Sequence, residues 1–221
     1  MEKQKNNIFV FIIMMLLSLT VTSCDDYQKS DSVIHIGYLL LDNHNCVSYE
    51  RYKENPTGKP VGVIFAEKTD DHPLMAVMIH EVTDVFCDSI GMDNNTSGNI
   101  TKYDGAENTA AMYKSRNEES GKGCPLANRM MSFHENGQSD YLPSVAEMRL
   151  LCKAIPYINT TIMKIGGTPL QVEGDTWYWT STEVSYNKGM QAWLCSSKNG
   201  GILETPKEQS HKARAIVRVN Y

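Results

Sequence analysis

The sequence contains no apolar run of about 18 residues, the length a membrane-spanning helix needs. Its longest mostly apolar stretch, residues 8–21, has 14. Clustered basic residues are also missing. Lys and Arg number 21 against 26 Asp and Glu, a net charge of −5. The first 23 residues hold two Lys and one Glu, so the charge beyond them is −6. Phosphate backbones attract basic patches, and this balance excludes a nucleic-acid partner. There is no CxxC, no HExxH and no close Cys/His group, so neither a zinc site nor any other metal or cofactor is expected. The six histidines, His35, His44, His72, His80, His134 and His211, are scattered and read as structural. A GxSxG elbow, a phosphate-binding Walker loop and a GxGxxG fingerprint are all lacking. Asp70 and Asp71 are chain neighbours whose side chains point apart, which is no acid–base pair. The composition is that of a folded chain, without a catalytic constellation and without repeats.

The N-terminus is more telling. Lys3 and Lys5 precede the apolar stretch, and Thr22 and Ser23 follow it. A basic start, a short greasy middle and small residues describe a secretory signal over residues 1–23. Val21-Thr22-Ser23-Cys24 resembles a bacterial lipobox, in which Cys24 becomes lipidated after cleavage; the alternative is an ordinary signal with an incidental cysteine. Each buried methylene contributes about 0.8 kcal/mol, so several acyl chains on one residue hold a soluble domain to a membrane. Residues 24–32 then form a lipidated tether, and residues 33–221 a single domain. Asp25 and Asp26 resemble the surface-export signals of Bacteroidetes lipoproteins, which implies an outer-membrane, outward-facing protein. In other bacteria an aspartate here resembles an inner-membrane retention signal. In either case membrane contact is through the anchor alone.

The remaining cysteines are Cys46, Cys87, Cys124, Cys152 and Cys195. An exported chain meets an oxidising environment, which permits disulfides. Burial as small apolar residues is an equal alternative, and an odd count leaves at least one thiol free.

Hydrophobic patterning predicts strands over 33–41, 61–65 and 74–80. A long Asn/Gly-rich loop is expected over 88–105. Short helices are predicted over 106–114 and over 125–133, the latter with Pro125 in its first turn. Ser144-Val145-Ala146-Glu147 has the form of a capping box. Val145, Met148, Leu151 and Cys152 follow on one helical face, and residues 157–165 are a further helix candidate closed by Gly166-Gly167. The period then changes to two: strands are predicted over 177–182, 190–196, 201–203 and 213–219, with Asn199-Gly200 as a hairpin turn. Strands, then helices, then strands indicate an α+β domain.

Several of these segments together resemble a known family. Tyr141–Leu151 is similar to the "LPS-x-x-E-L-x-x-L" helix of the bacterial family DUF1566, which includes the C-terminal domain of the Legionella collagen-like adhesin. Asn159–Ile162 with Gly166-Gly167, Tyr178–Glu183, Ala192-Trp193 and Arg214–Val219 match its later segments in order. Lys59–Phe65 with Leu74–His80 resembles the opening of its Bacteroidetes members. The resemblance implies a C-type-lectin-like fold, with two main helices packed on a small, twisted, mostly antiparallel sheet and long loops. It also implies attachment to glycans. The calcium-binding Glu-Pro-Asn and Trp-Asn-Asp signatures of such lectins are absent, since Leu194 and Cys195 follow Trp193 and offer no side-chain oxygen.

Trp177, Tyr178, Trp179 and Trp193 are either an aromatic platform or core, and period-two burial favours core for Trp179 and Trp193. Glu183 reads as a structural hydrogen-bonding group. Loops on a rigid scaffold carry binding residues, which nominates Asp175, Trp177, Tyr186, Asn187 and Lys188 as a ligand-binding rim. The expected function is a non-catalytic, surface-anchored module recognising glycan or protein, adhesin-like. The alternative is a structural or assembly subunit of the cell envelope or of pili without carbohydrate affinity.

Overall fold

The computed structural model describes residues 31–88, 90–116, 121–133 and 140–220. The signal segment, Cys24 and the tether up to residue 30 lie outside the described residues, as do His134 and Tyr221. In chain order the described elements are β1 (Leu39–Leu41), β2 (Cys46–Val47), α1 (Tyr49–Glu54), β3 (Pro60–Ala66), β4 (Met75–Val85), α2 (Gly105–Lys114), α3 (Pro125–Ser132), α4 (Val145–Lys164), β5 (Trp177–Glu183), β6 (Gln191–Ser196), β7 (Ile202–Pro206) and β8 (Ser210–Arg218).

The α4 helix starts as its sequence dictates. The Ser144 hydroxyl accepts the Glu147 amide at 3.3 Å. Glu147 Oε2 in turn accepts the Ser144 amide at 2.7 Å, so two orphan donors are satisfied reciprocally. The two helix candidates after residue 144 are one continuous helix with Pro156 inside it. Pro156 and Tyr157 lie on the exposed side, while Ile155, Ile158 and Ile162 continue the buried stripe. The missing proline N–H therefore falls where the freed Cys152 carbonyl lies on the outer side of the helix.

All eight strands belong to one sheet in the order β2-β1-β3-β4-β8-β5-β6-β7. Neighbours are antiparallel except β5 and β8, which run parallel and meet at Tyr178 and Lys212. The domain is thus α+β, and its sheet is larger than the small one expected. On one face α4 contributes Met148, Leu151, Ile155, Ile158 and Ile162 to a core with Leu39, Val63, Val77, Tyr178 and Ile216. On the other, α2 and α3 contribute Met112, Leu126 and Met130 to a core with Leu40, Ile64, Ala76, Trp179 and Leu194. Period-two alternation is what feeds both cores: in β8, Ala213, Ala215 and Val217 face one and Ile216 the other.

Strand limits differ from expectation for local reasons. The first strand begins only at Leu39, because Gly37 has φ +93° within a turn in which the Tyr38 amide donates to His35 O. β4 runs past His80 to Val85 because it keeps pairing with β8 beyond a break between Val77 and Glu81. At that break the Met78 carbonyl accepts from Arg214 Nη1 (3.2 Å) and the Ile79 carbonyl from the Thr168 amide (2.9 Å). None of Cys46, Cys87, Cys124, Cys152 and Cys195 is in a disulfide, and all but Cys152 are buried.

Candidate functional site

The five residues nominated as a rim fall into two groups. Asp175 and Trp177 stand at the start of β5, and Tyr186, Asn187 and Lys188 follow its end. Seven residues at about 3.3 Å each separate the groups by about 20 Å.

The first group belongs to the seam between the two halves of the sheet. Asp175 Oδ1 accepts the Trp177 amide at 3.2 Å, and its other carboxylate oxygen lies 3.2 Å from Lys212 Nζ. Partial burial would raise the Asp175 carboxyl, but the Trp177 amide and the Lys212 ammonium outweigh it and hold it below the usual range. The same ammonium sits 5.0 Å from the centre of the Tyr178 ring. The Tyr178 hydroxyl donates to Glu81 (2.7 Å), which also receives Arg214 Nη2 at 3.3 Å. β5 and β8 share little backbone pairing, and this chain of side chains joins them. Trp177 is half-buried against the α2/α3-side core.

Beyond the second group lies the most polar part of the interior. Glu183 and Lys207 are both fully buried and form an ion pair. Lys207 Nζ also donates to Asn94 Oδ1 (2.7 Å) and Met92 O (3.0 Å). Glu183 accepts the amides of Asn94 (3.0 Å) and Thr96 (3.2 Å) and the Thr96 hydroxyl (2.9 Å). A buried charge pair persists only when its remaining valences are filled, and here they are. Glu183 is thus a structural hydrogen-bonding group, as its sequence context suggested. It fastens the loop that follows β4 to the end of β5. Lys207 was not singled out from sequence: it lies in a short polar turn between two strands, and no local pattern marks it. Lys188 reinforces the same contact by donating to Thr96 O at 2.7 Å.

The exposed part of this region is built around Tyr186. Tyr186 is 73% exposed, and its hydroxyl donates to Glu204 in β7. Glu204 is paired in register with Trp193 in β6, so the two side chains share a face of the sheet. Trp193 is half-buried. Trp179, in contrast, is fully buried and packs against Phe86 at 5.4 Å between ring centres. Met190 and Leu203 are 43% and 47% exposed nearby on the chain. Asn187 Nδ2 donates to Gln191 Oε1 at 2.9 Å, which shapes the turn beneath Tyr186. β7 is the sheet edge here, so one side of its backbone has no strand neighbour among the described residues.

Two surface clefts lie elsewhere. One, of about 460 Å³, is lined by Lys102, Tyr103, Asp104 and Glu107. Glu107 there is held below its usual range chiefly by the Arg218 guanidinium, which reaches both its oxygens at 2.8 Å. The other, of about 380 Å³, is lined by Asp88, Arg116, Cys124 and Asn128. Among the described residues no three His, Cys, Asp or Glu side chains converge as a metal site, and no helix is long and apolar enough to cross a membrane.

No family model and no curated protein matches the chain. Among solved structures it is similar in fold to a fimbrial protein from Bacteroides ovatus ATCC 8483, with a TM-score of 0.62 and 13% sequence identity. The likeness covers 83% of this chain and 48% of that one, so the chain spans about half the length of the fimbrial protein.

Proposed function

We propose that this chain is a non-catalytic structural or assembly subunit of the cell envelope or of fimbriae, held at the outer membrane by lipid on Cys24. The observation that carries this reading is the shared fold with a fimbrial protein. It is supported by the export signal and lipobox-like segment of residues 1–24. The open sheet adds a physical route to assembly. The β7 edge ends in Pro206, but Ile202–Glu204 stand at the open side of the sheet, where a further strand can pair, with Leu203 exposed beside them. Crosslinking of the full-length chain in its native envelope, followed by mass spectrometry, tests the reading. The expected result is stable capture of defined envelope subunits, lost in Leu203→Arg, with acyl labelling that disappears in Cys24→Ala. A chain that crosslinks to nothing would refute it.

A second reading, surface recognition of glycan or protein, is favoured by one observation: the exposed Tyr186 ring, bonded to Glu204 beside Trp193. An exposed ring with an adjacent carboxylate suits the C–H face and hydroxyls of a sugar. The resemblance to DUF1566, with its C-type-lectin-like fold, belongs to this reading. Asn187 and Lys188 would extend the same surface, whereas Asp175 and Trp177 would act at the far end of β5. A glycan array probed with wild type and Tyr186→Ala separates the two readings: carbohydrate binding that Tyr186→Ala abolishes would favour recognition over assembly.

A further inference from the structure

Two thiols far apart in sequence are brought together at the end of β4. Cys87 and Cys124 are 37 positions apart, and both are buried in the core on the α2/α3 side of the sheet. Their chain neighbours, Asp88 and Gly123, are tied directly. The Asp88 amide donates to Gly123 O at 3.0 Å, and the Gly123 amide donates to Asp88 Oδ1 at 2.6 Å. The Cys87 thiol reaches the same Gly123 carbonyl at 3.0 Å, the carbonyl that immediately precedes Cys124 in the chain. Cys87 is further fixed by its amide on Lys207 O (3.2 Å). The Cys152 thiol, in contrast, is directed to Ser197 O at 3.1 Å.

We propose that Cys87 and Cys124, held side by side by the Asp88–Gly123 hydrogen bonds, are a disulfide-forming pair that closes when the chain folds in the presence of a disulfide oxidant. The inference does not depend on the assembly reading. The chemistry is thiol–disulfide exchange. One cysteine thiolate attacks a sulfur of the oxidant's disulfide and expels one thiol. The second thiolate then displaces the mixed disulfide and expels the other. Two S–H bonds of the protein and one S–S bond of the oxidant are lost, and one S–S bond between Cys87 and Cys124 forms. The protein gives up two electrons and two protons, and the oxidant takes both.

The environment sets when this happens. Contact with the Cys87 thiol and burial push the Cys124 thiol far above its ordinary range. The thiolate therefore forms readily only before this core closes, and the folded, reduced protein resists oxidation. Once made, the bond closes the loop that contains Asn94, Thr96 and α2, the same loop that Lys207 and Glu183 hold from the other side.

The test uses the full-length chain purified in detergent, denatured, and refolded in a buffer of oxidised and reduced glutathione. That buffer makes the readout independent of where the protein resides. Peptide mapping without reductant is expected to show the Cys87 and Cys124 peptides joined, lighter by two hydrogens than their sum. Reduction should lower the melting temperature by roughly 10 °C, as opening a loop of this length implies. In Cys87→Ser the Cys124 thiol should become alkylatable after denaturation, and the converse should hold in Cys124→Ser. Alkylation of both thiols in the oxidatively refolded wild type would overturn the proposal, and so would linkage of either to another cysteine.

Discussion

A single carboxyl illustrates how far residue chemistry reaches. Glu147 completes the capping box of α4 opposite Ser144, and its Oε2 also accepts the Gly105 amide at 3.1 Å from the start of α2. The fit is tight: a Cβ on Gly105 would lie 2.2 Å from that oxygen. Burial is the largest influence on the group and pushes it up to about 7, against the amides of Ser144 and Gly105, which pull it down. A raised carboxyl means that the folded chain holds its proton more tightly than the unfolded chain. The resulting stability is full below about pH 4.5 and is lost as pH rises through about 7, a change of about 3 kcal/mol. Glu147→Gln keeps an acceptor for both amides and does not titrate. Urea midpoints measured from pH 4.5 to 8 should therefore fall less steeply for Glu147→Gln than for wild type, and equal slopes would refute the assignment. The capping box itself was legible from four consecutive residues. The Gly105 contact was not, because the two positions are 42 residues apart and only the packing of α2 on α4's first turn brings them together.

At the level of elements, patterning identified most helices and strands, and misjudged where they stop. α4 is the clearest case. Read locally, the chain offers two apolar stretches interrupted at Pro156, but the buried stripe of Ile155, Ile158 and Ile162 runs through on one face. Packing against the sheet outweighs the lost hydrogen bond, since a helix of this length draws most of its stability from its buried face. Pro156→Ala restores an amide opposite the Cys152 carbonyl. It should raise stability by about 2 kcal/mol, the helix-interior cost of proline less its benefit in the unfolded chain. Denaturant unfolding measures this directly, and a loss of stability would mean that the packing of α4 requires the proline. β4 teaches the complementary lesson. Its last residues are polar and alternate poorly, and they extend as a strand only because β8 lies alongside.

For the molecule as a whole, the decisive feature is how loops and sheet halves are bolted together. Lys207 and Glu183 bring the segment around Asn94 and Thr96, the end of β5 and the β7–β8 turn to one buried point. Lys207→Met leaves Glu183 buried without its cation. Such a loss costs about 3–5 kcal/mol. Hydrogen exchange should show the amides of Asn94 and Thr96 losing protection in Lys207→Met before those of β3 and β4 do. Uniform loss across the sheet would show instead that the bolt is not local. The predicted rim divides at this same scale: Asp175 and Trp177 serve the β5–β8 seam, while Tyr186 stands exposed at the other end, bonded to Glu204.

What the sequence alone determined is whatever depends on neighbours along the chain. The capping box, the helical stripe of α4, the alternation of β8 and the α+β class all follow from spacings of two to four residues. The tertiary structure alone decided the eight-stranded order, the distribution of helices over both faces, the partners of Glu183 and the juxtaposition of Cys87 with Cys124. Each of these joins residues tens of positions apart. Their pairing depends on which surfaces exclude water together, and no local pattern encodes that.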